Sequence, residues 1–389
     1  VEAVAQGGPS ADTPVTFNSA TSADISATFD SANNKVVISY QDGGNSSYGT
    51  AIVGTVSGTS ISFGTAVVFE SAPIGLTSAT YDSTNNKIVI AYRDDGNSSY
   101  GTAIVGTVSG TAISFGTAAV FESAVSVYIS ATYDATNNKV VITYRDNGNS
   151  EYGTAIVGTV SGTAISFGTA VVFESAECLY IAATYDSTNN KIVIAYRDAP
   201  NSGYGTSIVG TVSGTAISFG TAVVFESAMA SYIAATYDST NNKTVISYSD
   251  GGNADYGTAI VGTVSGTAIS FGTAVVFESA NLMDISSTFD SNLNKIVIAY
   301  QDVGNAGYGT AIVGTVSGTA ISFGSPTVFE SATSNFNSAI YDSANNKVVI
   351  AYSDNGNSDY GTSVVFQTVS TNNTSFIGIT AEAISSAAT

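Results

Sequence analysis

Residues 81–116 read YDSTNNKIVIAYRDDGNSSYGTAIVGTVSGTAISFG. Almost the same words return 52 residues later, and again beyond that. The opening Tyr-Asp or Phe-Asp pair stands at Phe29, Tyr81, Tyr133, Tyr185, Tyr237, Phe289 and Tyr341. A lysine keeps the same register from Lys35 to Lys347, and a Tyr-Gly pair does so from Tyr48 to Tyr360. So strict a period is the first fact about the fold, because each repeat must be one structural unit that buries its apolar face against its neighbours.

Within the second unit four segments have strand character: LTSATYD (76–82), KIVIAYRD (87–94), YGTAIVGTV (100–108) and AISFGTAAVFES (112–123). They are rich in Ile, Val, Thr, Tyr and Phe, and the clusters STNN, DGNSS and SGT between them are turn formers. IVIAY is apolar at alternating and intervening positions alike, so that strand is expected to be covered on both faces. No segment has helical periodicity. Four short antiparallel strands per unit, repeated seven times, predict an all-β, seven-bladed β-propeller. A β-solenoid is the competitor, but its coils are usually shorter and need no particular copy number. PVTFNSA (14–20) matches AVVFESA (66–72) at the repeat offset, while the last copy loses register after Val365. Residues around 14–18 are therefore expected to supply the strand that completes the last blade and removes an open sheet edge. The resulting division is a closing segment at 1–20, the propeller at 21–372, and a C-terminal strand with the start of a downstream module at 373–389.

Composition narrows the function. Ten basic residues face thirty acidic ones, for a formal charge of −20, and the chain has no His, no Trp and a single cysteine, Cys178. Such a surface repels nucleic acid and anionic membranes. One cysteine excludes an internal disulfide and a Cys/His metal cluster. No apolar run reaches the roughly 18–20 residues that span a bilayer, so membrane insertion is not expected. Without His or a unique acid pair outside the repeat, catalysis is not expected, and Cys178 has no base to activate it. Low charge density with abundant Ser, Thr, Asn and Gly leans toward an extracellular or particle-surface protein.

The copies differ most in the quartet after ESA or NSA: TSAD (21–24), PIGL (73–76), VSVY (125–128), ECLY (177–180), MASY (229–232), NLMD (281–284) and TSNF (333–336). A milder cluster follows the second strand, where Gln41, Arg93, Arg145, Arg197, Ser249, Gln301 and Ser353 share one register. In an up-and-down blade both regions emerge at one end, as variable loops on a single face, and the constant turns emerge at the other. Loops on a rigid scaffold are the usual place for binding determinants. Candidate ligand-binding residues are therefore Tyr128, Tyr180, Tyr232 and Phe336, with Leu76, Asp24 and Asp284 at the same quartet position, and Arg93, Arg145 and Arg197. Aromatic rings there stack on sugars or anchor an interface, or else pack between blades. The arginines form a basic arc suited to a carboxylate, or each pairs with a nearby acid. The recurring D-x-x-N (Asp42/Asn45 through Asp354/Asn357) offers oxygens to Ca²⁺, but sevenfold repetition points instead to a turn held by side chain–backbone bonds. No cofactor is expected.

Units of the form VVIAYRD, GNS, YGTAIVGTVSGT and ISFGTAVVFESA resemble repeats in tail-fibre-like and other surface proteins of marine bacteriophages and bacteria. The resemblance spans residues 14 to about 365, and the ending with NNTSFIGI is similar to the opening of a small module, of the form NLTSENFIGI, that often follows such repeats. It implies adhesion or host-surface recognition and supplies no defined binding residues. The expected function is a non-enzymatic recognition module that binds a host receptor or glycan, attached to a larger fibre or particle. The alternative is a structural or decoration module whose quartets drift.

Overall fold

The computed structural model describes residues 8–369; the strand and downstream module expected at 373–389 lie outside them, as do residues 1–7 of the closing segment. Among the described residues every regular element is a β-strand or a short 3-10 turn. In the second unit the end of Val67–Asp82 pairs antiparallel with Lys87–Asp94, with Tyr81 opposite Ile88. That strand pairs with Tyr100–Ser109, placing Ile90 opposite Ile104. Ile88 to Tyr92 are all fully buried, as an apolar run covered on both faces requires.

The outermost strand departs from expectation. AISFGTAAVFES was expected as one strand, but it is two pieces, Ala112–Phe115 and the start of Ala119–Asp134, both paired with Tyr100–Ser109. The break falls at Gly116, where a Cβ would overlap the carbonyl oxygen of Thr163 in the next unit's turn. Only glycine admits so close a backbone approach. Beyond the break the chain does not loop across to the next unit. It continues as one 16-residue strand that serves as the outer strand of one unit and the inner strand of the next.

Adjacent inner strands are stitched by serine: Ala79 N–H donates to Ser26 Oγ and Ala131 N–H to Ser78 Oγ, both at 2.9 Å. The same bond joins the last unit to the first, from Ala27 N–H to Ser338 Oγ at 2.9 Å. The apolar cores lie between neighbours, and one cluster unites Val36 and Ile38 with Val349 and Val365. Val15 pairs with Ser363, Thr16 with Thr362, and Ser10 with Gln367. The inner strands thus form a closed ring.

At the end of the ring away from the quartets, the constant turns bond unit to unit. Asp82 Oδ1 accepts from the N–H groups of Thr84 and Asn85, and Thr84 Oγ1 donates to Asn138 Oδ1 at 2.6 Å. Asn85 Nδ2 also serves Asp82 Oδ2 at 2.8 Å. The one irregular turn, SNLNK (291–295), has Leu293 in place of that asparagine, and Thr368 Oγ1 donates to Asp290 Oδ2 at 2.7 Å instead. A residue 78 positions away replaces a local bond.

Candidate functional site

The quartets are not inter-blade loops, contrary to the sequence expectation. Each lies inside a 16-residue strand, ECLY for instance within Val171–Asp186. The strand bulges there: Leu179 faces Arg197 and Ala182 faces Ala195, so Tyr180 and Ile181 together oppose Tyr196. The first bulge residue takes the left-handed conformation in every unit, at φ 48° for Asp24, 54° for Leu76, 52° for Tyr128, 49° for Tyr180, 50° for Tyr232, 48° for Asp284 and 55° for Phe336. A bulge of this geometry favours glycine at that position, and none of the seven is glycine.

The four quartet positions have separate physical roles. The second (Ser22, Ile74, Ser126, Cys178, Ala230, Leu282, Ser334) is at most 1% exposed in every unit. It packs against the glycine of the Tyr-Gly pair, where a Cβ on Gly153 would stand 2.6 Å from the Phe173 ring and 3.1 Å from Cys178 Sγ. Variation there is core variation. Burial pushes the Cys178 thiol well up, which keeps it protonated. Only the fourth position turns to the ring axis, and all seven of its residues line one cavity of ≈ 250 Å³.

Around that mouth the order is Asp24, Leu76, Tyr128, Tyr180, Tyr232, Asp284, Phe336. The three tyrosines form a continuous arc, with centroids 5.3 Å apart between Tyr128 and Tyr180 and 5.2 Å between Tyr180 and Tyr232. Opposite them, two carboxylates flank Phe336, which is 39% exposed. Asp284 Oδ2 accepts from the Phe336 N–H at 3.0 Å. Burial pushes both carboxyls above their usual range, against a backbone hydrogen bond at each and, for Asp24, the nearby Arg93 charge.

The arginines do not line the cavity. Arg93 is held by Asp95 through Nε–Oδ1 at 2.6 Å and Nη2–Oδ2 at 3.0 Å. Arg145 lies 3.5 Å from Glu177 and places its guanidinium 5.4 Å from the centre of the Tyr128 ring. Arg197 has no acid partner among the described residues and reaches Ser231 Oγ at 3.4 Å. Two of the three therefore form the ion pairs weighed from sequence, and Arg145 also buttresses the tyrosine arc.

The recurring carboxylates are structural. Glu70 accepts from the buried Tyr92 hydroxyl at 3.1 Å, a bond repeated from Glu122–Tyr144 to Glu330–Tyr352. In the D-x-x-N turn Asp42 accepts from Gly44 N–H and Asp146 from Gly148 N–H. Sequence reasoning missed the second residue of the bulge. Ile25, Ile129, Ile181, Ile233 and Ile285 stand there, but Thr77 and Asn337 break the series, and all seven line the cavity. That break in an otherwise apolar register was the available signal.

No family model matches the chain, and no curated protein sequence matches it. Among solved structures it is similar to the BP39L lectin from Burkholderia pseudomallei, at TM-score 0.63 and 12% identity over 90% of this chain and 96% of that one. A chain of the mitotic checkpoint complex superposes at TM-score 0.58 and 9% identity, covering 94% and 97%. AofleA from Arthrobotrys oligospora does so at 0.52 and 10%, covering 84% and 94%. At such identities the likeness is one of fold: an all-β, repeat-built, propeller-like architecture.

Proposed function

We propose that the protein is a seven-bladed β-propeller that binds carbohydrate, without catalysis, at its axial mouth. One observation carries the reading: seven non-glycine residues held at left-handed φ around a single cavity. Each costs about 1–2 kcal/mol that glycine would remove, and strain of this kind collects at ligand sites. Tyr128, Tyr180 and Tyr232 offer rings for stacking on a sugar face. The ≈ 250 Å³ cavity lies below the roughly 300–1,000 Å³ of drug-sized sites, a size suited to a single sugar residue. Likeness in fold to a protein described as a lectin supports the ligand class. On this reading the module is displayed extracellularly or on a virion surface, where it adheres to a host receptor or glycan as part of a larger fibre or particle.

Glycan-array binding of the native protein against Tyr180→Ala tests this. We expect Tyr180→Ala to weaken binding by about tenfold, the equivalent of roughly 1.4 kcal/mol, with the circular dichroism spectrum unchanged. Equal binding by both proteins would remove the mouth from the mechanism. The competing reading is a structural module, and the fully buried second quartet position favours it to this extent: sequence variation there needs no ligand. Under that reading the native protein binds no glycan on the array.

A further inference from the structure

We propose that the sugar taken at the axial mouth carries a protonated amine, as a free amino sugar does. This rests on the carbohydrate reading above and adds the charge of the ligand to it. The lining supplies hydrogen-bond acceptors and aromatic faces, and no lysine or arginine. Asp24 and Asp284 present carboxylates on either side of Phe336. Between them Asn337 is only 8% exposed, and its Oδ1 has no hydrogen-bond partner among the described residues. Its Nδ2 is engaged, donating to the carbonyl oxygen of Asp284 at 3.2 Å. Buried acceptors are rarely left without a donor, and the residue that carries this one lines the cavity of the two acids.

An ammonium group answers all three features at once. It brings three N–H donors and a positive charge, so it can serve Asn337 Oδ1 and both carboxylates, while aromatic faces attract cations. A neutral hydroxyl would satisfy Asn337 and leave half-buried Asp284 without a counter-charge and Asp24 with only a share of Arg93. Nearby cations fill that role only in part: Arg93 acts on Asp24 but is bound to Asp95, Arg145 stands over Tyr128 beside Glu177, and neither acts on Asp284. The overall charge of −20 draws cationic ligands toward the protein.

The test compares binding of fluorescent chitosan oligosaccharides, their N-acetylated counterparts and neutral glucan oligosaccharides at mildly acidic pH, where the chitosan amine is protonated, and physiological salt. Native protein, the double variant Asp24→Asn/Asp284→Asn and the single variant Asn337→Ile are measured, each with a melting curve. Asn337→Ile restores the residue found at this position in five other units, so it keeps a folded reference available. We expect the free amine to be preferred by about tenfold or more, that preference to vanish in the double variant, and Asn337→Ile to bind several-fold more weakly. Chitosan binding unchanged in the double variant would mean charge attraction to the acidic surface, and would overturn the assignment. Equal or stronger binding of acetylated or neutral oligosaccharides would overturn the amine and leave carbohydrate binding standing. Binding of none of the three by native protein would overturn both.

Discussion

The residue on which this protein turns is the first of the bulge, where backbone geometry asks for glycine and the chain supplies Tyr, Phe, Leu or Asp. Phe336 isolates the effect best, because it is the most exposed of the aromatic four and has no ring partner among the described residues. Phe336→Gly relieves a left-handed φ of 55° with little packing to lose. It is expected to stabilise the fold by up to about 1 kcal/mol in urea unfolding while weakening ligand binding; a clear loss of stability would refute the strain. The aromatic identity of these positions was legible in the sequence, since four rings stand in one register. The strain was not. Left-handed backbone usually announces itself through Gly or Asn, as at Asn86, and here neither is present. Asn337 was legible only as a break in an isoleucine series, since its unpartnered oxygen follows from neighbours that the sequence does not place.

At the scale of the element, the strand that changes unit midway does two jobs. Its first half closes one blade and its second half opens the next, so each unit is completed by chain belonging to its successor. The N-terminal strand is the case where the successor is the start of the chain. Removing residues 1–20 would delete Phe17 from a buried cluster and expose the edge at 360–367. A loss of about 3 kcal/mol or more is expected, given the usual cost of removing a core Phe, together with aggregation through the open edge. A melting temperature equal to that of the full chain would refute closure by this strand. Repeat alignment found this strand because its offset matches. It could not tell that the quartets run within strands, since a bulge leaves no obligatory residue here, and so they read as loops.

For the whole molecule, charge and burial combine into a pH dependence. Burial raises the carboxyls of Asp24, Glu70, Glu174, Asp250, Asp284 and Glu330, among others. A carboxyl raised in the folded state binds its proton more tightly there than in the unfolded chain. The stability it contributes is complete below the unfolded value and is lost as pH rises through the folded one. The melting temperature is therefore expected to rise as pH falls from about 7 to about 5, approaching the ordinary carboxylate range. Self-repulsion at −20 acts in the same direction. Amine binding at the mouth needs a charged amine and ionised carboxylates together, so it is expected to pass through a maximum on acidification: the amino sugar gains its proton near neutrality, and Asp24 and Asp284 then take up theirs, with Arg93 opposing that step at Asp24. A melting temperature that falls on acidification would refute the first statement, and amine binding that keeps strengthening into the ordinary carboxylate range would refute the second. By itself the sequence determined the repeat, its all-β character, the buried Ile-Val run and the end of the ring where variation collects, because period and polarity are local properties of the chain. Only the tertiary structure decided that one quartet position in four reaches the axis, that Leu293 is compensated by Thr368, and that two acids and an orphaned amide meet across Phe336. Those depend on ring closure, which brings together residues many units apart.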